Sequence, residues 1–134
     1  MQTTLRPTEN THTSLLDNWD RCSDWLNAAL VYSHGTHTLD DVFQSVMRGD
    51  AQFWHFKDAA IVTELMDYPQ KKILRYWLAG GNLKTLLKNE PDIRHWSALW
   101  GCVGVEIIGR QGWQRVLKGY KQTSVILVKD MYHG

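Results

Sequence analysis

The last third of the chain changes its hydrophobic spacing repeatedly, and this switching constrains the fold more than any other feature. Apolar residues recur at helical spacing from Ile93 to Val103. They form a short continuous run at residues 105–108, return to helical spacing at 113–118, and end as a strand-like run at 123–129. Helix and strand in alternation are typical of an α/β fold, in which helices cover a sheet.

The first half of the chain predicts two amphipathic helices. A short strand over residues 3–6 is ended by Pro7, and Ser14 or Thr13 is the expected N-cap of the first helix. The second helix begins near Thr38, where Asp41 completes a capping box with Asp in place of Glu. The apolar residues of the first helix recur at three- and four-residue steps: Leu15, Leu16, Trp19, Cys22, Leu26, Ala29 and Leu30.

Three strands are predicted in the middle of the chain, at residues 51–56, 59–68 and 72–78. The third is too continuously apolar for a strand with one wet face, and we expect it to be central. A short helix is expected at 83–87, and Pro91 is expected at the first position of a further helix. The predicted order is therefore β-α-α-β-β-β-α-β-α-β around a mixed sheet flanked by helices, in one domain over residues 1–134.

Composition narrows the classes of partner. The formal net charge is +1, from 15 basic and 14 acidic residues, so we expect no general binding to nucleic acid. No apolar run reaches the roughly 20 residues that span a bilayer, and no signal peptide is expected at the first residues. Cys22 and Cys102 are expected to be reduced thiols in a reducing compartment. Seven tryptophans are expected either to fill the core or, for at least two of them, to mark a contact surface.

The element order and two short motifs resemble a known family. The order is similar to that of the GNAT (Gcn5-related N-acetyltransferase) fold, and residues 116–120 resemble the helix-Gly-aromatic step of that family. The chain also looks like the small, divergent GNAT-like proteins of tailed phages. In that group Gly-Cys before a strand and a later Gly-Arg-x-Gly-Trp match Gly101-Cys102 and residues 109–113. The resemblance covers nearly the whole chain.

The resemblance implies a place for acetyl-CoA at the end of the central strand. Members of the family carry there an Arg/Gln-x-x-Gly-x-Gly/Ala loop, whose amides hold the pyrophosphate at a helix N-terminus. Residues 79–83 lack the leading basic residue and that spacing, and two glycines before a helix also fit an ordinary strand-to-helix turn. If acetyl-CoA is bound, the expected binding residues are Trp77, Leu78, Gly80, Gly81 and Asn82.

The catalytic residues of the family are harder to place. Its general acid is a tyrosine four positions before the late-helix glycine, but counting back from Gly119 leads to Arg115, which does not release a proton near neutral pH. Tyr120 stands where the family has a buried Phe and is expected to pack. Glu64 is a candidate general base, although a solvated strand face explains it as well. The catalytic residues therefore stay unassigned.

Two further groups of residues call for interpretation. His34 and His37 have a spacing that metal ligands use, but no Cys or carboxylate pair lies beside them, and we expect a solvated loop and no metal. Arg110, Trp113 and Arg115 combine two cations with a flat aromatic ring at the end of a strand. These three residues are predicted either to contact a partner or, for Trp113, to fill the core.

Two functions follow from the sequence. The first is a non-catalytic, GNAT-like phage protein that acts by protein binding, as a virion component, a structural protein or an assembly factor, without a cofactor. Its expected partners are other phage or virion proteins, with a homo-oligomer as an open alternative, and its expected location is the virion or the host cytoplasm. The alternative is an active acetyl-CoA-dependent N-acetyltransferase that acts on a small amine or a protein lysine.

Overall fold

The computed structural model describes residues 6–7, 12–109 and 113–131, and for residues 12–14 and 114 it describes the backbone alone. No helix in these ranges is long and apolar enough to cross a membrane. The elements in chain order are α1 (His12–Leu30), a 3-10 turn (Val31–Ser33), α2 (Leu39–Met47), β1 (Gln52–His55), β2 (Ala59–Asp67), β3 (Lys72–Gly81), α3 (Leu83–Leu99), β4 (Gly104–Ile107) and α4 (Trp113–Val116).

The four strands form one mixed sheet in the order β1-β2-β3-β4. β1, β2 and β3 are antiparallel neighbours joined by short turns, whereas β4 lies parallel to β3. A parallel pair needs a crossover connection, and α3 supplies it. The predicted α/β class, with a mixed sheet flanked by helices, is confirmed.

The sheet separates two apolar clusters. The α1 and α2 side contains the predicted face of α1, since Leu15, Trp19, Cys22, Leu26 and Leu30 are all buried there. The other side packs α3 against β2 and β3. Each fully buried apolar side chain contributes about 1.5–3 kcal/mol, so these two layers supply most of the favourable free energy of folding. The cluster on the α3 side contains Trp54, Ala59, Ile61, Leu74, Tyr76, Leu86 and Ile93.

The predicted capping box of α2 is confirmed. The backbone N–H of Asp41 donates to the Thr38 hydroxyl at 3.2 Å, and the Thr38 N–H donates to the Asp41 carboxylate at 2.8 Å. The hydrogen bond from the Thr38 backbone N–H stabilises the ionised carboxylate and lowers the pKa of Asp41, and the Thr38 side chain lowers it further. The N-terminus of α2, which lies next to a cleft described below, is therefore fixed by local hydrogen bonds.

The predicted break between residues 87 and 91 is wrong, because α3 runs through Pro91 as one helix. Proline removes one helical hydrogen bond, a cost that normally ends or kinks a helix. Here both halves bury the same face against the sheet, through Leu86, Ile93 and Ser97. Burial of this continuous face outweighs the lost bond.

The end of the chain differs most from the prediction. The expected strand at 123–129 is wrong, since residues 120–130 have no regular secondary structure and Leu127 is 91% exposed. The predicted strand at 3–6 lies, apart from Arg6, outside the described residues. β3 is also longer than expected, because residues 79–81 extend it rather than forming a loop.

Most of the tryptophans belong to the core or its margin. Trp19 and Trp54 are buried, and Trp100 at 58% exposure is the one exposed tryptophan of the seven. The buried Trp54 indole N–H donates to the Thr63 hydroxyl at 3.0 Å, and that hydroxyl donates to the Gln52 side-chain oxygen at 2.8 Å. The expectation of at least two exposed tryptophans is therefore wrong, and core filling explains most of them.

Candidate functional site

The two parallel strands lie side by side for four residues and then part. Ile73 to Tyr76 of β3 pair with Gly104 to Ile107 of β4, but β3 continues to Gly81 while β4 ends at Ile107. A cleft of about 680 Å³ opens along the continuing part of β3. That volume lies within the range of small-molecule sites, so this divergence is the candidate site.

Three parts of the chain form the walls of the cleft together with the loop after α1, whose histidines are described below. Trp25 and Ala29 of α1 form one wall, and the end of β3 forms the second. Trp113, together with Ile126 and Val128 of the irregular C-terminal segment, forms the third. The apolar walls suit the carbon chain of a ligand. The polar residues of the lining lie mostly in the loop after α1 and on β2 and β3.

β3 contains an extra residue where the cleft begins. Leu78 pairs with Val62 and Tyr76 pairs with Thr63, so Trp77 has no opposite residue on β2. Trp77 and Leu78 consequently both pack on the α1 side of the sheet. A bulge bends its strand and disturbs the local ladder, which explains why β3 leaves β4 at this residue.

Charged side chains from three neighbouring strands form a row on the α1 side of the sheet. Glu64 of β2 pairs in register with Arg75 of β3, and Arg75 pairs with Glu106 of β4. Arg75 Nε lies 2.8 Å from Glu106 Oε1, whereas Arg75 Nη1 lies 3.9 Å from Glu64 Oε1. The Tyr68 hydroxyl donates to the same Glu106 oxygen at 2.8 Å and accepts from Arg75 Nη2 at 3.1 Å. Arg75 is therefore engaged mainly with Glu106 and Tyr68.

Glu64 and Arg75 line the cleft, and the Glu64 side chain is 25% exposed. Partial burial raises the pKa of Glu64, while the charges of Arg75 and His37 lower it by smaller amounts. A carboxyl group with a raised pKa in a cleft is a candidate acid–base group. Glu64, the candidate general base named from the sequence, thus lines the cleft.

His34 and His37 also line the cleft. The His37 ring contacts the Trp77 ring edge-on at a centroid distance of 5.0 Å, and His37 Nδ1 lies 2.8 Å from the Thr36 hydroxyl. Within the described ranges no three His, Cys, Asp or Glu side chains are grouped as a metal site requires. These histidines therefore contribute polar groups to the cleft wall rather than a described metal centre.

The two glycines at the end of β3 are required by the packing of the protein itself. A Cβ at Gly80 would lie 2.5 Å from the carbonyl oxygen of Trp25 in α1. A Cβ at Gly81, where φ is +101°, would lie 2.4 Å from the carbonyl oxygen of Asp58. Both glycines let backbone approach backbone, so their presence does not by itself indicate a phosphate.

The N-terminus of α3 lies directly after these glycines in the chain. The Asn82 side chain accepts the Thr85 N–H at 3.3 Å and caps the helix. The N–H groups of Leu83 and Lys84 have no acceptor within the helix, and both residues are exposed. The residues predicted from the sequence lie together at the end of β3 and the start of α3, and all but Asn82 line the cleft, namely Trp77, Leu78, Gly80 and Gly81.

The predicted contact residues Arg110, Trp113 and Arg115 are not seen to form one surface among the described residues. Arg110 lies outside the described residues. Trp113 is half-buried against the α3-side cluster, where it also borders a small cavity of about 50 Å³, whereas Arg115 is exposed. Trp113 therefore packs against the core, as one of the two predictions has it.

The tyrosines near α3 do not supply an acid for the cleft. The Tyr120 hydroxyl donates to Glu90 Oε1 at 2.7 Å, and the Tyr76 hydroxyl donates to the Glu90 carbonyl oxygen at 3.4 Å. Burial and the neighbouring Glu90 raise the pKa of both tyrosines. Tyr120 is accordingly half-buried, and its hydroxyl is engaged by Glu90.

The fold is similar to that of solved structures. A protein described as a possible acetyltransferase from Clostridium difficile 630 matches with a TM-score of 0.53 and 11% identity, over 96% of this chain and 97% of that chain. The fold is acetyltransferase-like. A mutant of the BH1408 protein from Bacillus halodurans matches at a TM-score of 0.48 and 11% identity, over 92% of this chain and 98% of that one. Neither a protein-family model nor a curated protein matches the chain.

Reasoning from the sequence identified Glu64 as a site residue but did not identify the residues around it. Arg75, Glu106 and Tyr68 join it only through the register of three strands and the turn between β2 and β3. The available signal was a charged residue inside each of three otherwise apolar strands, since such residues in a sheet tend to face each other across strands.

Proposed function

We propose that this protein transfers an acetyl group from acetyl-CoA to an amine, with Glu64 as the general base. The observation that carries this proposal is the partly buried Glu64 carboxyl in the wall of the cleft where β3 leaves β4. The acetyltransferase-like fold supports it, although a fold alone does not establish an activity.

The chain offers suitable groups for acetyl-CoA, which would supply a reactive thioester. Beyond Tyr76 the edge of β3 has no described strand beside it, so every second residue presents its backbone N–H and C=O to a ligand. The exposed N-terminus of α3 and the adjacent Lys84 suit the diphosphate. Gly80 and Gly81 are accounted for by close contacts within the protein, so the fit to acetyl-CoA rests on the strand edge and the helix N-terminus.

The cleft also suits an amine. Glu64 and Asp24 add two negative charges to its lining, and the positive charge of Arg75 is largely balanced by Glu106. Glu64 would accept the proton that the amine loses as its nitrogen bonds to the acetyl carbon. The carbon–sulfur bond of the thioester breaks in return, and CoA leaves as a thiolate that takes a proton from solvent. A base whose pKa is raised toward the working pH performs this transfer more effectively.

Calorimetry with acetyl-CoA tests the cofactor. We expect low-micromolar binding, weakened about tenfold by Lys84→Glu, because reversing a charge at a helix N-terminus changes anion binding by roughly 1–2 kcal/mol. Lys88→Glu, one turn further along α3, is the matched control and should bind like the wild type. Absence of heat at millimolar acetyl-CoA would reject this function.

Thiol release from acetyl-CoA in the presence of a panel of primary amines tests the chemistry. Glu64→Gln should lower kcat by roughly 10²–10⁴-fold, with binding of acetyl-CoA retained. Asp92→Asn, an exposed charge change on α3, is the control. Equal rates for Glu64→Gln and the wild type would show that Glu64 is not the base.

A non-catalytic role in protein binding is the second candidate, with phage or virion proteins as the proposed partners. The observation that favours it is the group of exposed apolar side chains at the end of α3, namely Leu99, Trp100 and Val103. Exposed aromatic anchors are typical of interfaces. If acetyl-CoA fails to bind, and Trp100→Ser abolishes self-association seen by ultracentrifugation without loss of fold, protein binding becomes the better proposal.

A further inference from the structure

Glu64 has a neighbour that would normally neutralise it. An arginine in contact with a carboxylate lowers the pKa of that carboxylate by roughly 1–3 units. Arg75 stands directly beside Glu64 in the sheet register, yet its Nη1 remains 3.9 Å from Glu64 Oε1, beyond hydrogen-bond distance. Other groups must therefore bind the Arg75 guanidinium and keep it from Glu64.

The retaining groups lie on the opposite side of Arg75. Glu106 accepts from Arg75 Nε at 2.8 Å, and the Tyr68 hydroxyl accepts from Arg75 Nη2 at 3.1 Å. Tyr68 also donates to Glu106, which closes a triangle of three hydrogen bonds. Charge-assisted bonds of this length are strong ones, so the guanidinium is fixed toward β4 and away from β2.

We propose that Glu106 and Tyr68 are positioning residues that hold Arg75 away from Glu64 and so preserve the basicity of Glu64 in the cleft. The catalytic part of this inference rests on the proposed function, whereas the effect on Glu64 itself does not. Glu64 is the group in the cleft, and the two positioning residues act on it through Arg75.

The charged groups around Glu64 determine whether its pKa rises or falls in each variant. Besides Arg75, the groups that act on it are His37, Glu106 and Asp50, from the loops flanking α2 and from β4. Glu106→Gln removes a negative charge and also frees Arg75 to turn toward Glu64, and both changes lower the pKa of Glu64. Tyr68→Phe changes no formal charge at neutral pH, so any shift that it causes comes from the position of Arg75.

The test is a carboxyl carbon NMR titration of the full chain, with the Glu64 signal assigned by its loss in Glu64→Gln. We expect the pKa of Glu64 to fall by about 1 unit in Glu106→Gln and by roughly 0.3 unit in Tyr68→Phe. Asp92→Asn and Tyr120→Phe are the matched controls for charge and for loss of a tyrosine hydroxyl, and neither should shift it. An unchanged or raised pKa in both Glu106→Gln and Tyr68→Phe overturns the proposal.

The pH dependence of thiol release adds the catalytic readout. The acidic limb of the rate profile should move to lower pH by the same amounts in the two variants. If the NMR shift is found in a protein that transfers no acetyl group, the positioning of Arg75 stands and the proposed function fails. If transfer occurs and its acidic limb stays fixed in both variants, the function stands and the positioning role fails.

Discussion

Replacing Gly80 with alanine distinguishes a glycine required by packing from one required by a ligand. The new Cβ would lie 2.5 Å from the carbonyl oxygen of Trp25, 2.9 Å from the carbonyl carbon and 3.0 Å from the Cβ of that residue. Two of these atoms belong to the backbone of α1 and cannot turn away. The whole helix must move, or β3 must distort.

The cost follows from that contact. Overpacking costs about 1–3 kcal/mol, and the contact with backbone atoms that cannot turn away places this substitution at the upper end of that range. Alanine recovers up to about 1 kcal/mol relative to glycine in a strand. We expect Gly80→Ala to lower the free energy of unfolding by about 2 kcal/mol. For a chain of 134 residues this corresponds to a decrease in Tm of roughly 7 °C.

Gly104→Ala is the matched control. A Cβ there meets Ile73 Cδ1 at 2.9 Å, which is also too close, but this atom is the end of a flexible side chain that can rotate away. Both glycines lie in strands and neither has a positive φ. We therefore expect Gly104→Ala to stay within about 0.5 kcal/mol of the wild type.

Urea unfolding of the three proteins is the assay. If Gly80→Ala matches the wild type in stability, or if Gly104→Ala loses as much as Gly80→Ala, the packing argument is refuted. A Gly80→Ala protein of normal stability that has lost its affinity for acetyl-CoA would instead show that the glycine serves the ligand.

Three further substitutions test other parts of the structure. Thr63→Val should cost about 2 kcal/mol in urea unfolding, because it leaves a buried indole N–H without its acceptor. Tyr120→Phe removes the hydrogen bond to Glu90 and should cost about 1 kcal/mol in urea unfolding, the net contribution of one such bond. Thr38→Ala removes the cap of α2 and should cost about 1 kcal/mol at neutral pH. The backbone N–H of residue 38, the larger cause of the lowered pKa of Asp41, is kept in the variant, and only the contribution of the Thr38 side chain is removed. That contribution is lost in the wild type as pH falls through the lowered pKa, so the difference between the two proteins should shrink in acid.

The helices before the sheet were predictable because their signals are local. The apolar steps of α1 and the Thr38–Asp41 capping box of α2 each involve residues within one or two turns. Local patterns of this kind depend little on the rest of the fold. The three antiparallel strands were predictable for the same reason, since short turns connect them.

The missed features depend on contacts between distant segments. Pro91 is tolerated because the sheet buries α3 on both sides of it, which the local sequence does not reveal. The apolar run at 123–129 has strong strand propensity but no described strand beside it, and such propensity depends on a pairing partner. Segment 123–129 therefore shows that a strand pattern alone does not produce a strand.

The candidate site was predictable only in part. Glu64 was named as a base from its residue type and its place on a strand. Its pairing with Arg75 required the register of β2 and β3, and that register shifts by one residue at Trp77. The residue pattern within one strand does not reveal its register against the next strand. The row formed by Glu64, Arg75 and Glu106 could therefore be found only from the structure.

The extra residue at Trp77 also affects how this chain should be aligned with others. Before the bulge odd-numbered residues of β3, such as Arg75, face α1, and after it even-numbered residues, such as Gly80, do so. A relative with a regular strand therefore needs a one-residue gap at Trp77, since an ungapped alignment would match inward with outward positions along half of the strand. Deletion of Trp77 would keep every remaining side chain of β3 on its present face. A one-residue insertion or deletion at the bulge therefore leaves the buried residues of β3 unchanged.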